Sequence, residues 1–261
     1  MVPEKRGPPM GYMGQPLKRR EDIRFLRGAG RYVDDIALPG ETWCAFVRSP
    51  HAHAAINGID TGTAAAMPGV LRVLTHADWS AAGLGELTVI HPMPFGDGRP
   101  MNEAPRPAFA SDKVRHVGDV VAAVVAETRN KAEDAAEAIV IDYTILPAVT
   151  DIARALDADA PVIHDRFNSN IVFEIEKGDR DATEAALAAA SHVVEMTLPS
   201  NRVAGNPMEP RSYLCDFDRH TGQYTFYATT QTPHYLKRWL AVYTLFVPEH
   251  KIRVISPDVG G

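Results

Sequence analysis

Seven consecutive apolar residues, Val120 to Ala126, constrain the fold of this chain more than any other feature. A valine-rich run of that length suits a strand buried on both faces. It is the longest uninterrupted apolar stretch, far below the ~20 residues a membrane-spanning helix needs, so no membrane span is expected. Thr128 then stands at an N-cap position, and residues 129–138 read as a helix. Lys131, Glu133, Asp134 and Glu137 offer a solvent face, and the alanines allow close packing. Residues 139–143 return as a strand. This β-α-β passage points to a mixed α/β domain ending near Pro147.

Residues 43–47 and 69–74 also read as strands, being β-branched or aromatic and bounded by Pro and Gly. Between Ile90 and Pro107 five prolines and two glycines forbid a ladder or helix of any length, which fits a functional loop or a flexible insertion. From about Thr150 the pattern restarts. Residues 171–175 are strand-like, Asp181 opens an Ala-rich helix through Ala190, and residues 192–198 alternate as a half-buried strand. Residues 212–218 and 223–230 form an antiparallel pair across Arg219-His220-Thr221-Gly222. Thr232-Pro233 start a helix to about Val242, and Pro248 and Pro257 bracket a last strand over 252–256. No internal repeat is present.

Charge is unevenly spread. Residues 1–32 hold eight basic side chains against three acidic ones, a net of +5, so the rest carries −11 of a chain whose net is −6. An acidic body excludes a nucleic-acid binder, which needs a basic face. The basic arm can dock on an acidic partner, dock on its own body, or stand solvated. The N-terminus has no apolar export segment, and Glu21-Asp22 follow Arg19-Arg20 where a twin-arginine signal needs an apolar run. Cys44 and Cys215 lie 171 positions apart without ligand spacing, which fits free thiols in a reducing cytoplasm.

Chemistry-bearing motifs are sparse. His51 and His53 share a face if extended but lack a third ligand, so no protein-ligated metal is expected there. No nucleophile elbow, P-loop or dinucleotide fingerprint is present, and Gly28-Ala29-Gly30-Arg31 reads as a turn. The C-terminal third differs. Gln231 sits at a strand end just before a helix, where side-chain and backbone N–H donors face an anion or a metal-oxo oxygen. Gly260 and Gly261 end a strand in a form that lets backbone approach a phosphate or cofactor.

Several stretches, in order, carry a family resemblance. They include residues 18–26, Gly30-Arg31-Tyr32-Val33-Asp34-Asp35, Val47-Arg48-Ser49-Pro50-His51-Ala52-His53-Ala54 and Pro68-Gly69-Val70. His116-Val117-Gly118-Asp119, Met208-Glu209-Pro210-Arg211 and residues 248–261 follow. The chain resembles the molybdenum-cofactor-binding large subunit of the xanthine dehydrogenase, aldehyde oxidase and aerobic carbon monoxide dehydrogenase family, most of all the carbon monoxide dehydrogenase branch.

The resemblance implies an α+β, mixed α/β fold: a basic arm over 1–21, an a/b hammerhead domain over 22–147, and the first part of a molybdopterin-binding domain over 148–261. It implies molybdenum held by molybdopterin, in many bacterial members the cytosine dinucleotide form, oxidising carbon monoxide, an aldehyde or an N-heterocycle with water-derived oxygen. An iron–sulfur small subunit and an FAD-binding medium subunit are the implied partners. Gln231 matches a glutamine that hydrogen-bonds a molybdenum oxo group, and Gly260 and Gly261 match the opening of a Gly-Gly-Gly-Phe-Gly cofactor loop. The family's glutamate general base is expected beyond Gly261, so no catalytic residue is assigned here. The expectation is an N-terminal portion of a large subunit that neither holds the cofactor tightly nor turns over alone. The alternatives are a non-catalytic assembly module, one half of a split subunit, and a decayed remnant.

Overall fold

The computed structural model describes residues 11–89, 91–201 and 203–261. Lys5 and Arg6 of the basic arm, and the N-terminal stretch read as lacking an export signal, lie outside the described residues, as does Ile90. In chain order the elements begin α1 (Asp22–Leu26), β1 (Trp43–Arg48), β2 (Ala54–Asp60), α2 (Gly62–Ala65) and β3 (Val70–Thr75). They continue α3 (His76–Ala81), β4 (Lys113–Val114), β5 (Val120–Ala126), α4 (Arg129–Glu137) and β6 (Val140–Ile145). The last are α5 (Arg180–Ala189), β7 (Tyr213–Asp218), β8 (Gln223–Ala228), α6 (Pro233–Trp239) and β9 (Ile252–Ile255). They fall into two compact units that interleave along the chain. The larger takes Leu38–Gly205 and His234–Ile252; the smaller takes the described residues up to Ala37, Asn206–Pro233 and Arg253–Gly261.

In the larger unit, β5 is the centre of an antiparallel sheet ordered β1–β5–β3. Ala122 and Val124 face a core shared with Ala64 of α2, Ala135 of α4 and Ile139. Val121, on the opposite face, joins Ala54, Ala110 and Val114. Cover on both sides is why the run has no polar alternation. A second antiparallel sheet is ordered β4–β2–β6. Helix α4 thus carries the chain from the middle of one sheet to the edge of the other. The β-α-β passage is not a parallel crossover within one sheet.

Thr128 caps α4, its Oγ1 accepting from the Lys131 N–H at 3.3 Å. Thr128→Ala is expected to cost about 1 kcal/mol, read as a lower urea midpoint at unchanged slope. The crossings between the two sheets are pinned by the segment after β1. Ser49 N–H donates to the Asp119 carbonyl (2.8 Å), and Gly118 N–H donates to the Ser49 carbonyl (2.8 Å). Buried His53 sets its Nδ1 against the Pro147 carbonyl at 2.7 Å, so this nitrogen carries the proton.

Two strand expectations fail. Residues 171–175 form no strand: the Val172 and Ile171 carbonyls instead accept from the Asn102 backbone and side-chain N–H groups, each at 2.8 Å. Residues 192–198 also form no strand, and Val193, Val194, Met196 and Leu198 are exposed. Alternation describes the two faces of a strand but supplies no neighbour to pair with, and a lone strand leaves its ladder unmade. Helix α5 does form, capped by Asp179, and buries no residue.

In the smaller unit, α1 ends in a Schellman turn. Gly28 has φ +67°, its N–H donates to Phe25 and the Ala29 N–H donates to Arg24. The sheet is ordered β7–β8–β9, with β7 and β8 antiparallel across the expected four-residue connection. Asp218 closes that connection by accepting from the His220 N–H (2.8 Å) and the Thr221 hydroxyl (2.7 Å). Among the described residues no helix is long and apolar enough to cross a membrane.

Candidate functional site

The chain leaving β8 and the chain leaving β9 stay side by side. Ser256 Oγ donates to the Thr230 carbonyl at 2.6 Å, one residue before Gln231. Gln231 is exposed, and its Nε2 donates to the Gly261 carbonyl at 3.4 Å. The three residues singled out from the sequence, Gln231, Gly260 and Gly261, therefore meet at one edge.

Neither glycine position has room for a side chain. A Cβ at Gly260 would lie 2.7 Å from Glu209 Cβ and 3.5 Å from Tyr32 Cε1. A Cβ at Gly261, where φ is +150°, would lie 2.4 Å from Pro207 Cβ. The Asn206–Arg211 segment is thus packed directly on the glycine pair. Glu209 is half-buried; its Oε2 accepts from the Gly260 N–H, and its Oε1 accepts from the Thr229 hydroxyl at 3.1 Å.

Two residues earlier, Asp258 ties the same turn to the basic N-terminal region. Both Arg24 guanidinium nitrogens reach its carboxylate, the second at 2.6 Å, and the Arg31 N–H donates to it at 2.7 Å. The Asp258 N–H returns a bond to the Arg31 carbonyl at 3.1 Å. Part of the basic region therefore docks on its own body. The Arg24 fork, then the Arg31 amide, hold the Asp258 carboxyl down to about 2.

A depressed carboxyl contributes stability that is full above its unfolded value, about 4, and is lost as pH falls through its folded value. Between about pH 4 and pH 2 the wild-type protein is expected to lose stability more steeply than Asp258→Asn, measured by thermal unfolding across that range. Equal slopes would refute the assignment.

The donor set here is amide N–H, backbone N–H and backbone carbonyl. Among the described residues no three His, Cys, Asp or Glu side chains are arranged to hold a metal ion. His51 packs edge-on against Tyr143 at 5.0 Å, and His53 is committed to Pro147. Cys44 and Cys215 are free thiols, and burial pushes both up. An open concavity of about 220 Å³ in the larger unit is lined by Asn102, His164, Phe167 and Asn170. Its asparagine amides are already spent on the carbonyls of Ile171, Ala155 and Pro161. The Gln231 edge suits a group that brings its own metal ligands and asks the protein for hydrogen bonds and close backbone approach.

Sequence reasoning found Gln231 and the glycines but gave Glu209, Asp258 and Arg24 no role. All three stand in stretches that carry the resemblance, and Arg24 lies in the basic region as well. Their pairings span 51 and 234 positions, beyond any local pattern.

The larger unit thus holds two sheets around a helix-covered core, and the smaller unit brings an amide and a glycine pair together past the ends of β8 and β9. Residues 27–147 match the a/b hammerhead domain of aldehyde oxidase and xanthine dehydrogenase, and residues 163–261 match the molybdopterin cofactor-binding domain. The carbon monoxide dehydrogenase large chain of Afipia carboxidovorans is 38% identical over 95% of this chain and 31% of its own length. The nicotine 6-hydroxylase large subunit of Paenarthrobacter nicotinovorans is 37% identical over 95% of this chain and 29% of its own. The crystal structure of quinoline 2-oxidoreductase from Pseudomonas putida 86 superposes with a TM-score of 0.83 at 36% identity, covering 94% of this chain and 30% of that one. Residues 27–147 thus belong to the aldehyde oxidase and xanthine dehydrogenase hammerhead family and residues 163–261 to the molybdopterin cofactor-binding domain family, and the chain matches part of the large subunits that carry both. It spans about a third of the length of these relatives.

Proposed function

We propose that this chain supplies one edge of the molybdenum site in an enzyme that oxidises a small molecule, carbon monoxide, an aldehyde or an N-heterocycle, with oxygen derived from water. The cofactor is molybdopterin, in its cytosine dinucleotide form, and when bound it supplies the redox chemistry. The carrying observation is the meeting of Gln231 with Gly260 and Gly261 at one exposed edge. Gln231 would offer its Nε2 donor to the bound cofactor. The glycine pair, closed off by Pro207 and Glu209 on one side, offers bare backbone on the other.

Orientation is the chain's contribution. Gln231 and the glycines move no proton and displace no leaving group, and the general base comes from elsewhere in the assembled subunit. An iron–sulfur subunit and an FAD-binding subunit take the electrons. The 261 residues alone present one amide and one glycine turn to the cofactor, so alone they hold it weakly and do not turn over.

The test is metal, pterin and nucleotide analysis, with dye reduction, on the chain alone and on the chain assembled with the remainder of a large subunit. Molybdenum, pterin, cytosine nucleotide and turnover are expected only in the assembly. Stoichiometric metal with turnover in the chain alone would overturn the division of labour. A second reading, a partner-binding module without turnover, is favoured by the exposed Val193, Val194, Met196 and Leu198. It predicts association with the remainder and no gain of molybdenum.

A further inference from the structure

We propose that Glu209 is a positioning residue for this edge, acting through the Gly260 amide and the Thr229 hydroxyl rather than by touching the cofactor. The inference rests on the reading of Gln231 and the glycines given above, and it says what keeps them together.

Gln231 and the glycine pair are carried on separate strands. The segment leaving β8 reaches Gln231 three residues after Ala228, and the segment leaving β9 reaches Gly260 five residues after Ile255. Each is long enough to wander by more than a hydrogen bond's tolerance. The direct bond between them, Gln231 Nε2 to the Gly261 carbonyl, is 3.4 Å and therefore weak. It also takes one of the two N–H donors of the Gln231 amide. Something else must set the spacing.

Glu209 occupies the required place. One carboxylate oxygen takes the Thr229 hydroxyl, two residues before Gln231; the other takes the Gly260 N–H. One rigid carboxylate therefore links the two segments, with charge-assisted bonds stronger than a neutral pair. Its Cβ lies where a side chain at Gly260 would have to go, so the contact is packing as well as polar. Ser256 is a second side chain that spans the two segments, but it acts one residue past β9, at the Thr230 carbonyl, and does not reach the Gly260 amide; Asp258 ties the glycine side to Arg24 and Arg31 instead of to β8. Ser212 is engaged with Asp34.

The experiment uses the full 261-residue chain without cofactor, isotopically labelled. It reads amide hydrogen exchange at Gly260 and the side-chain amide resonances of Gln231. In Glu209→Ala the Gly260 amide is expected to exchange at least about tenfold faster, the loss of one charge-assisted bond, and the Gln231 amide pair is expected to shift. Glu209→Gln restores both readouts, because its carbonyl oxygen still accepts from Gly260 and its NH₂ donates to Thr229 Oγ1. Glu209→Met keeps the packing and loses the bonds, so it behaves as the alanine variant does. Thr229→Val, with Glu209 intact, shifts Gln231 and leaves Gly260 protected, which keeps the test available if the alanine variant does not fold.

Unchanged Gly260 exchange in the alanine and methionine variants would overturn the proposal. So would protection in methionine equal to that in glutamine, which would make the role one of packing alone. These measurements involve no cofactor, so their failure leaves the cofactor reading standing. Failure of that reading would appear as assembled protein without molybdenum while Gly260 still responds to Glu209.

Discussion

Alanine at Gly85 is expected to lower stability by about 3 kcal/mol, the upper range for overpacking a closed site. A Cβ there would sit 1.8 Å from the Tyr243 carbonyl oxygen and 2.8 Å from the Phe246 ring. Those partners cannot give way cheaply. Tyr243 belongs to a π-helical turn, Leu240–Thr244, that extends α6, and Phe246, two residues past the turn, has φ +52°, an uncommon conformation for a bulky side chain. Gly85 also donates its N–H to the Thr244 carbonyl at 2.9 Å, while its own carbonyl accepts from Trp79 Nε1 at 3.0 Å. Displacing the Tyr243 carbonyl therefore disturbs two further bonds. Urea unfolding of the Gly85→Ala variant checks this, and a loss under about 0.5 kcal/mol, the scale of an ordinary surface change, would show that the π turn yields.

What the sequence could and could not disclose follows from the range of the forces involved. Val120–Ala126 was readable because burial on both faces acts on each residue separately, and a hydroxyl at position 128 is itself the cap. The hairpin of β7 and β8 was readable because only four residues separate its strands and Gly222 supplies the φ of +65° needed between them. The order β1–β5–β3 was not readable, since it joins strands some fifty to eighty positions apart. Residues 192–198 mislead for the same reason: alternation says how a strand would face but not whether a partner edge is present.

At the site, residue types were legible and their connections were not. An amide before a helix and glycines after a strand are local signals, and they led to Gln231, Gly260 and Gly261. The carboxylate of Glu209 bridges two segments, and Asp258 finds Arg24 across almost the whole chain. Such links become visible only once the β7–β8–β9 sheet places their ends together.

The second large effect concerns Gln231. Its side chain is exposed, one of its N–H groups makes a bond of 3.4 Å, and no core contact depends on it, so replacement should leave the fold intact. In the assembled, cofactor-loaded protein the Gln231 amide would offer a preorganised donor to the bound molybdopterin group, which would supply the redox chemistry. Loss of one such donor elsewhere costs about 10²–10³-fold in turnover. The direct measurement is kcat and molybdenum per chain for wild type and Gln231→Ala side by side. The account predicts turnover lower by about 10²–10³-fold at equal molybdenum content. Equal turnover at equal molybdenum would contradict it, because Gln231 would then not face the reacting centre.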